Sequence, residues 1–144
     1  MADPLPLDHP PTLPHMRTSL VGREVEIATA RDLLLETAAP LLTLTGLGGV
    51  GKTRLAIAIA RDVAQSFADG VVYVDLAALA DSVPLPAAVA DALQLGWRAA
   101  DASVEAIATH LRARQLLLVL DNCEHLLSAA AELTVPLLAA CPAV

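Results

Sequence analysis

Aromatic side chains are almost missing from this sequence, which holds one Trp, one Tyr and one Phe. A core without rings must be assembled from Ala, Leu and Val. Those residues lift the hydrophobic share to 56% and the mean hydropathy to +0.59, the profile of an aliphatic, helix-rich interior. Cationic residues are scarce as well, nine Lys and Arg against 16 Asp and Glu, for a formal charge of −7 and a pI near 4.8. Nucleic-acid backbones are held by basic patches, so direct nucleic-acid contact is excluded from this segment. A run of about 18 uncharged apolar residues, the minimum for a bilayer span, is also lacking. The closest stretch, 126–144, carries Glu132 and two prolines. No cationic start followed by an apolar stretch marks a secretory signal at the front. These absences predict a cytoplasmic protein with no membrane partner. Cysteine is limited to Cys123 and Cys141, which could pair, although cytosolic thiols stay reduced and a buried Cys serves as a small hydrophobe.

What is present divides in two. Residues 1–15 hold prolines at 4, 6, 10, 11 and 14, a density that forbids helix and predicts a disordered leader. Residues 16–144 are the size of one domain. Val25, Ile27, Ala28, Ala30 and Leu33 to Leu35 recur at helical spacing behind Glu24 and Glu26, with Pro40 expected to close that helix. The run LLTLT at 41–45 predicts a strand covered on both faces. Leu55, Ile59 and Val63 predict a helix over 52–67, with Arg54, Arg61 and Asp62 pointing away from its apolar side. VVYVDL at 71–76 predicts a second strand, 86–95 a helix, and Ser103 the cap of a helix reaching Arg114. LLLVL at 116–120 reads as a fully buried strand, and a last helix after Asp121 should be kinked or split at Pro136. Strands alternating with helices imply a parallel sheet with helical crossovers, an α/β fold.

The chemistry concentrates in Gly46, Leu47, Gly48, Gly49, Val50, Gly51, Lys52 and Thr53, which match the phosphate-binding pattern G-x-x-x-x-G-K-[ST] at every position. Glycines let the backbone approach an anion closely, so that successive N–H groups converge on phosphates. Lys52 offers a compact positive charge to the outer phosphates, Thr53 a hydroxyl to Mg²⁺, and the helix N-terminus its partial charge. A plain tight turn is the bland alternative, disfavoured because the Lys and Thr are also in place. Arg54, directly after Thr53, is grouped with this nucleotide-binding set.

A triphosphate site also needs a carboxylate for the metal. Asp121 follows the apolar strand at 116–120, the Walker B arrangement, although an Asp there can equally cap the next helix. The residue after it is Asn122, whose amide can hold a water but cannot take its proton. Glu124 is therefore the nearest candidate general base, with a solvated surface Glu as the bland reading. His110 and His125 receive no role, Trp97 reads as a packing residue, and Asp75 fits either a site or a turn.

TSLVGRE at 18–24, LTLTGLGGVGKTRLA at 42–56, VVYVDLAAL at 71–79 and LLLVLDNCEHLL at 116–127 together resemble the STAND class of signal-transduction ATPases. The resemblance is to the ATPase module, NB-ARC or AAA-like, of large bacterial LuxR-type and SARP-type regulators. It implies a P-loop NTPase domain, three layers α/β/α around a parallel sheet. It also implies that Val21, Gly22 and Arg23, with Glu24, hold the adenine end of the nucleotide and so favour ATP over GTP. In that class a further strand follows the Walker B strand and inserts beside the P-loop strand, with winged-helix, helical-repeat and DNA-binding parts beyond. Val144 stands where that strand would begin, so the resemblance implies a domain incomplete at its C-terminus. A gap between 41–45 and 116–120 is then expected, and with it marginal stability for the chain alone.

The leading expectation is a switch that binds ATP or ADP with Mg²⁺ and is a slow ATPase when complete. Its partners would be the other domains of a regulator, with a nucleotide-dependent oligomer as a further expectation. A non-hydrolysing nucleotide-binding module and a small P-loop kinase are the alternatives.

Overall fold

A computed structural model describes residues 13–79 and 83–144. The leader expected at 1–15 thus lies mostly outside the described residues. Of its last three residues, Pro14 accepts a hydrogen bond through its carbonyl from Arg61 Nη2 at 2.6 Å.

The α-helices and strands among the described residues are α1 (Glu24–Leu35), α2 (Lys52–Val63), β1 (Val71–Asp75), α3 (Leu85–Ala92), α4 (Val104–Leu111), β2 (Leu117–Asp121) and α5 (Leu127–Ala140). β1 and β2 pair in parallel, from Val71 opposite Leu117 to Asp75 opposite Asp121. Such pairing needs a crossover, which α3 and α4 supply.

Alternation along the two strands sorts the layers. Val72, Val74 and Leu76 enter a core with Leu85, Val89, Ile107, Leu111, Leu133 and Leu137 of α3, α4 and α5, and Leu118 and Leu120 pack against it. The opposite face therefore carries Val71, Tyr73, Asp75, Val119 and Asp121. α2 packs on β2 and α1 packs on α2, the latter contact carrying an Arg31–Asp62 ion pair at 3.6 Å. The α/β class and its helix, sheet, helix layering are thus present around a sheet of two strands.

Four local expectations are corrected. The segment 41–45 forms no strand and joins no sheet, and its residues alternate between exposed and half-buried, with Leu41 54% exposed. Apolar, β-branched composition favours a strand only where a neighbour offers its backbone groups. β2 pairs with β1 alone among the described residues, and the segment pairs with neither. For the same reason β2 is half-buried throughout, rather than fully buried as its composition suggested. α1 ends before Pro40 is reached. Ala38 adopts φ +49°, and the Thr37 and Ala39 amides donate to Asp32 and Leu33 carbonyls at 3.1 and 2.9 Å, a left-handed reversal that closes the last turn. Finally, α5 is not split at Pro136, which sits inside one continuous helix. The carbonyl deprived of its amide partner belongs to exposed Glu132, where water can replace it.

Other expectations hold. Ser103 Oγ accepts the Ala106 amide at 3.1 Å and caps α4. Both cysteines are free, and the Cys141 thiol is buried and donates to the Ala108 carbonyl at 3.3 Å. Burial raises the pKa of that thiol above its ordinary value. No helix among the described residues is long and apolar enough to cross a membrane.

Candidate functional site

Two backbone features shape the glycine loop. A Cβ at Gly46, where φ is +155°, would sit 3.0 Å from Val50 Cγ2, so a side chain there would be strained and would press on the Val50 methyl. Gly51 adopts φ +87° as the N-cap of α2, turning the chain so that the first amides of the helix face the loop. Gly48 and Gly49 form the exposed tip between exposed Leu47 and Val50, and Thr53 occupies the first turn of α2.

Lys52 lies across this loop rather than out in solvent. Its ammonium donates to the Gly46 carbonyl at 2.8 Å and the Leu47 carbonyl at 3.2 Å. It also stands 3.7 Å from Glu124 Oε1, beyond the end of β2. The phosphate-binding lysine and the candidate general base are thereby brought together, although 71 intervening residues separate them in sequence.

The segment before α1 is fastened to the same place. Arg23 Nη2 donates to the Val50 carbonyl at 3.1 Å and Nη1 to Glu26 at 2.9 Å, and the Gly22 amide donates to Glu24 Oε1 at 3.3 Å. Val21 beside them is 82% exposed. Arg54, grouped with the loop by sequence, donates to the Thr18 carbonyl and hydroxyl and to the Ser19 carbonyl, at 3.2, 2.8 and 3.2 Å. It therefore straps the V-G-R-E segment to α2. A hollow of about 150 Å³ opens between these parts, walled by Arg23, Thr43, Thr45, Gly51 and Lys52 among others. A larger one of about 500 Å³ lies beside β1 and α3, walled by Tyr73, Asp75, Asp91 and Trp97 among others. Size favours the second, but only the first presents a lysine and a glycine cradle.

Asp121 ends β2 on the face toward α2. Tyr73 donates its hydroxyl to Asp121 Oδ2 at 2.6 Å, and the Asn122 amide donates to Oδ1 at 2.9 Å. Burial, followed by the hydrogen bond and charge of Asp121, raises the Tyr73 phenol pKa above the usual range. Among the described residues no hydrogen bond joins Asp121 to Thr53, and the two are related through the packing of α2 on β2.

Asn122 adopts φ +57° and donates through Nδ2 to Asp75 Oδ1 at 2.9 Å, an oxygen that also accepts the Ala77 amide at 2.9 Å. The Ala77 amide and then the Asn122 amide hold the Asp75 carboxyl below its ordinary value against the opposing effect of burial. Asp75 thus takes the turn role. Sequence reasoning missed both cross-strand links. The signal was available in the two apolar runs that each end in Asp, since aligning those ends sets the register that places Tyr73 diagonal to Asp121.

Comparison with known proteins agrees with the loop chemistry. A family model described as "AAA domain" matches residues 35–141, leaving the V-G-R-E segment outside. A Mycobacterium tuberculosis protein provisionally named an HTH-type transcriptional regulator is 47% identical over 102 residues, which are 71% of this chain and 11% of that protein. An uncharacterized protein of the same organism is 38% identical over 125 residues, 87% of this chain and 31% of that one. Regulatory protein AfsR of Streptomyces griseus is 32% identical over 104 residues, 67% of this chain and 10% of that protein. The chain thus spans about a tenth of the length of the two named regulators. No solved structure matches it significantly.

Proposed function

The chain belongs to the AAA domain family, and from that premise we propose that it binds ATP and ADP with Mg²⁺ as the nucleotide-dependent switch of a regulator. The finer placement proposed is the STAND class, in the LuxR-type or SARP-type group. The observation that carries this reading is the bond from Arg23 to the Val50 carbonyl, which fastens the V-G-R-E segment to the phosphate loop. A phosphate cradle alone is indifferent to the base. A second element held against it gives the nucleoside end somewhere to rest.

In this reading the amides of Gly48, Gly49, Gly51 and Lys52 and the Lys52 ammonium receive phosphate oxygens. The ammonium exchanges its bonds with the Gly46 and Leu47 carbonyls for them. Val21, Gly22 and Arg23 face the adenine end, with Arg54 holding that segment in place through Thr18 and Ser19. The Thr53 hydroxyl and the Asp121 carboxylate are the hard oxygen donors that Mg²⁺ takes beside phosphates, so the donor set fits that ion. When bound, the ion neutralises phosphate charge. In the same reading Glu124, 3.7 Å from the Lys52 ammonium, accepts a proton from water. The remaining partners proposed are the other domains of a longer cytoplasmic regulator, in an oligomer set by the nucleotide, with no nucleic-acid contact from this segment.

The test is equilibrium binding of ATP, ADP and GTP to the chain and to Lys52→Ala. A lost charge-assisted bond of about 1.5–3 kcal/mol predicts at least roughly ten-fold weaker binding of ATP and ADP. Equal affinities would remove the phosphate role from Lys52, and equal ATP and GTP affinities would remove the V-G-R-E segment from base selection.

Asn122 favours a second reading, in which nucleotide is bound without hydrolysis. Its amide is committed to Asp75 and offers no proton acceptor beside Asp121. Single-turnover hydrolysis separates the two readings, since bound ATP persists in the second.

A further inference from the structure

We infer that Tyr73 is a positioning residue for Asp121, fixing the orientation in which that carboxylate is presented to a divalent cation. The inference rests on the reading of Asp121 as the metal-holding carboxylate, and it adds a residue that the motif does not contain.

The parallel register sets Asp75 opposite Asp121, so Tyr73, two residues earlier on the same face, lies on the diagonal. Only a long side chain with a terminal donor spans that diagonal, and the Tyr73 hydroxyl does so at 2.6 Å, a length typical of O–H···O⁻ bonds. The other oxygen accepts the Asn122 amide. Each carboxylate oxygen therefore has one protein donor and keeps capacity for another partner, while rotation about its own bond is restrained from both sides. Mg²⁺ demands near-ideal octahedral geometry, so a carboxylate already held in place loses less freedom when the ion arrives. Among the described residues Tyr73 makes no hydrogen bond to the glycine loop. Its influence on a bound ion passes through Asp121.

The experiment titrates Mg²⁺ into the 144-residue chain with ATP and reads the concentration that gives half of the Mg²⁺-dependent gain in ATP affinity. It compares the wild type with Tyr73→Phe and Asp121→Asn and measures ATP affinity without Mg²⁺ for each. Loss of a residue supporting a metal ligand commonly weakens metal binding by about 10–100-fold. Tyr73→Phe is therefore expected to raise the Mg²⁺ requirement at least roughly ten-fold, with the Mg²⁺-free affinity unchanged. An unchanged requirement in Tyr73→Phe, while Asp121→Asn loses the Mg²⁺ effect, overturns the positioning role and leaves the metal reading standing. A wild-type Mg²⁺ effect in Asp121→Asn removes the metal reading and this inference with it. Equal losses with and without Mg²⁺ in Tyr73→Phe mark a structural role only and overturn the inference. Because Tyr73 is the single tyrosine, the wild-type ultraviolet difference spectrum gives an independent readout should the variant fold poorly. A tyrosine band perturbed by Mg²⁺ in the presence of ATP is expected, and a band that does not move overturns the proposal.

Discussion

The Lys52 ammonium stands 3.7 Å from the Glu124 carboxylate, so the helix that closes the glycine loop and the turn that follows β2 meet charge to charge. The contact ties the two motifs across the edge where strand ends and loop open together.

This pairing separates two roles of Glu124. Its side chain is 65% exposed, so the ion pair is screened and is worth about 0–1 kcal/mol, less than roughly five-fold in ATP affinity. Removing a general base costs about 10²–10⁴-fold in rate. Glu124→Gln is therefore expected to leave equilibrium ATP binding nearly unchanged while single-turnover hydrolysis falls by about a hundred-fold or more. Unaltered hydrolysis assigns the proton to another acceptor.

Stability is expected to hinge on the opposite end of the strands. Arg114 is 4% exposed and donates to Asp69 Oδ1 at 2.9 Å, while Asp69 Oδ2 accepts the Gln115 amide at 2.7 Å. Burial pushes the Asp69 carboxyl upward, but the Gln115 amide and the Arg114 guanidinium outweigh it and hold the group below its ordinary range. Breaking a buried pair costs about 3–5 kcal/mol, and Asp69 is partly exposed, so roughly 2–3 kcal/mol is expected for Asp69→Ala. At about 2–4 °C per kcal/mol for a chain near this size, Tm should fall by roughly 5–10 °C. Since the folded pKa is depressed, this contribution is present above the unfolded value near 3.9 and lost as pH falls through the folded one. The gap between wild type and variant should accordingly narrow below about pH 4, and a gap that stays constant there would count against the carboxylate's share.

A second pH effect runs through His110. Its Nε2 is buried and lacks a hydrogen-bond partner among the described residues, and its ring meets the edge of Trp97 at 6.0 Å and 84°. Burial, then the charge of Arg114, lowers its pKa. The folded state thus prefers neutral His110, and the unfolded chain binds the proton first. Stability should rise with pH from the lowered folded value up to the unfolded value near 6.5, and fall on acidification through that window. Melting curves between about pH 5 and 7.5 should show a shallower slope in His110→Phe than in the wild type, whereas parallel slopes would assign the effect to other histidines.

Legibility in the sequence followed how local each signal was. The cap at Ser103, the apolar stripe of α2 and the glycine loop declare themselves within a few residues, and all lie where expected. The reading of Leu41–Thr45 as a strand went wrong because pairing depends on a neighbour that composition cannot supply. Of the kink or split expected at Pro136 the split does not occur, because the cost of an interior proline depends on whether the orphaned carbonyl can reach water, and here it belongs to an exposed residue. At the site, the motif named the loop and Asp121 but neither Tyr73 nor the Asp75–Asn122 bond. Both span β1 and β2, and a pairwise register is invisible until the strands are aligned. Arg54 was grouped with the loop by its adjacency to Thr53, and its bonds to Thr18 and Ser19 could not be read from that adjacency.

Asn122 offers the sharpest test of that cross-strand geometry. By sequence it is an amide where an acid could serve as base, so Asn122→Asp would be expected to speed hydrolysis. The structure predicts otherwise. At φ +57°, a region that Asn and Asp tolerate better than most residues, the side chain is aimed at Asp75 and not at the glycine loop. Asn122→Asp would exchange a donor for an acceptor and set two carboxylates against each other where a 2.9 Å bond now stands. The lost bond costs about 0.5–1.5 kcal/mol and the like charges add to it, so a lower Tm is expected with single-turnover hydrolysis no faster than wild type. Asn122→Gly separates the causes, because glycine accepts the positive φ freely and removes the bond without adding charge; its Tm should lie between the other two. A rate increase of ten-fold or more in Asn122→Asp would mean that this position reaches the attacking water, and the bond to Asp75 would then not govern its role.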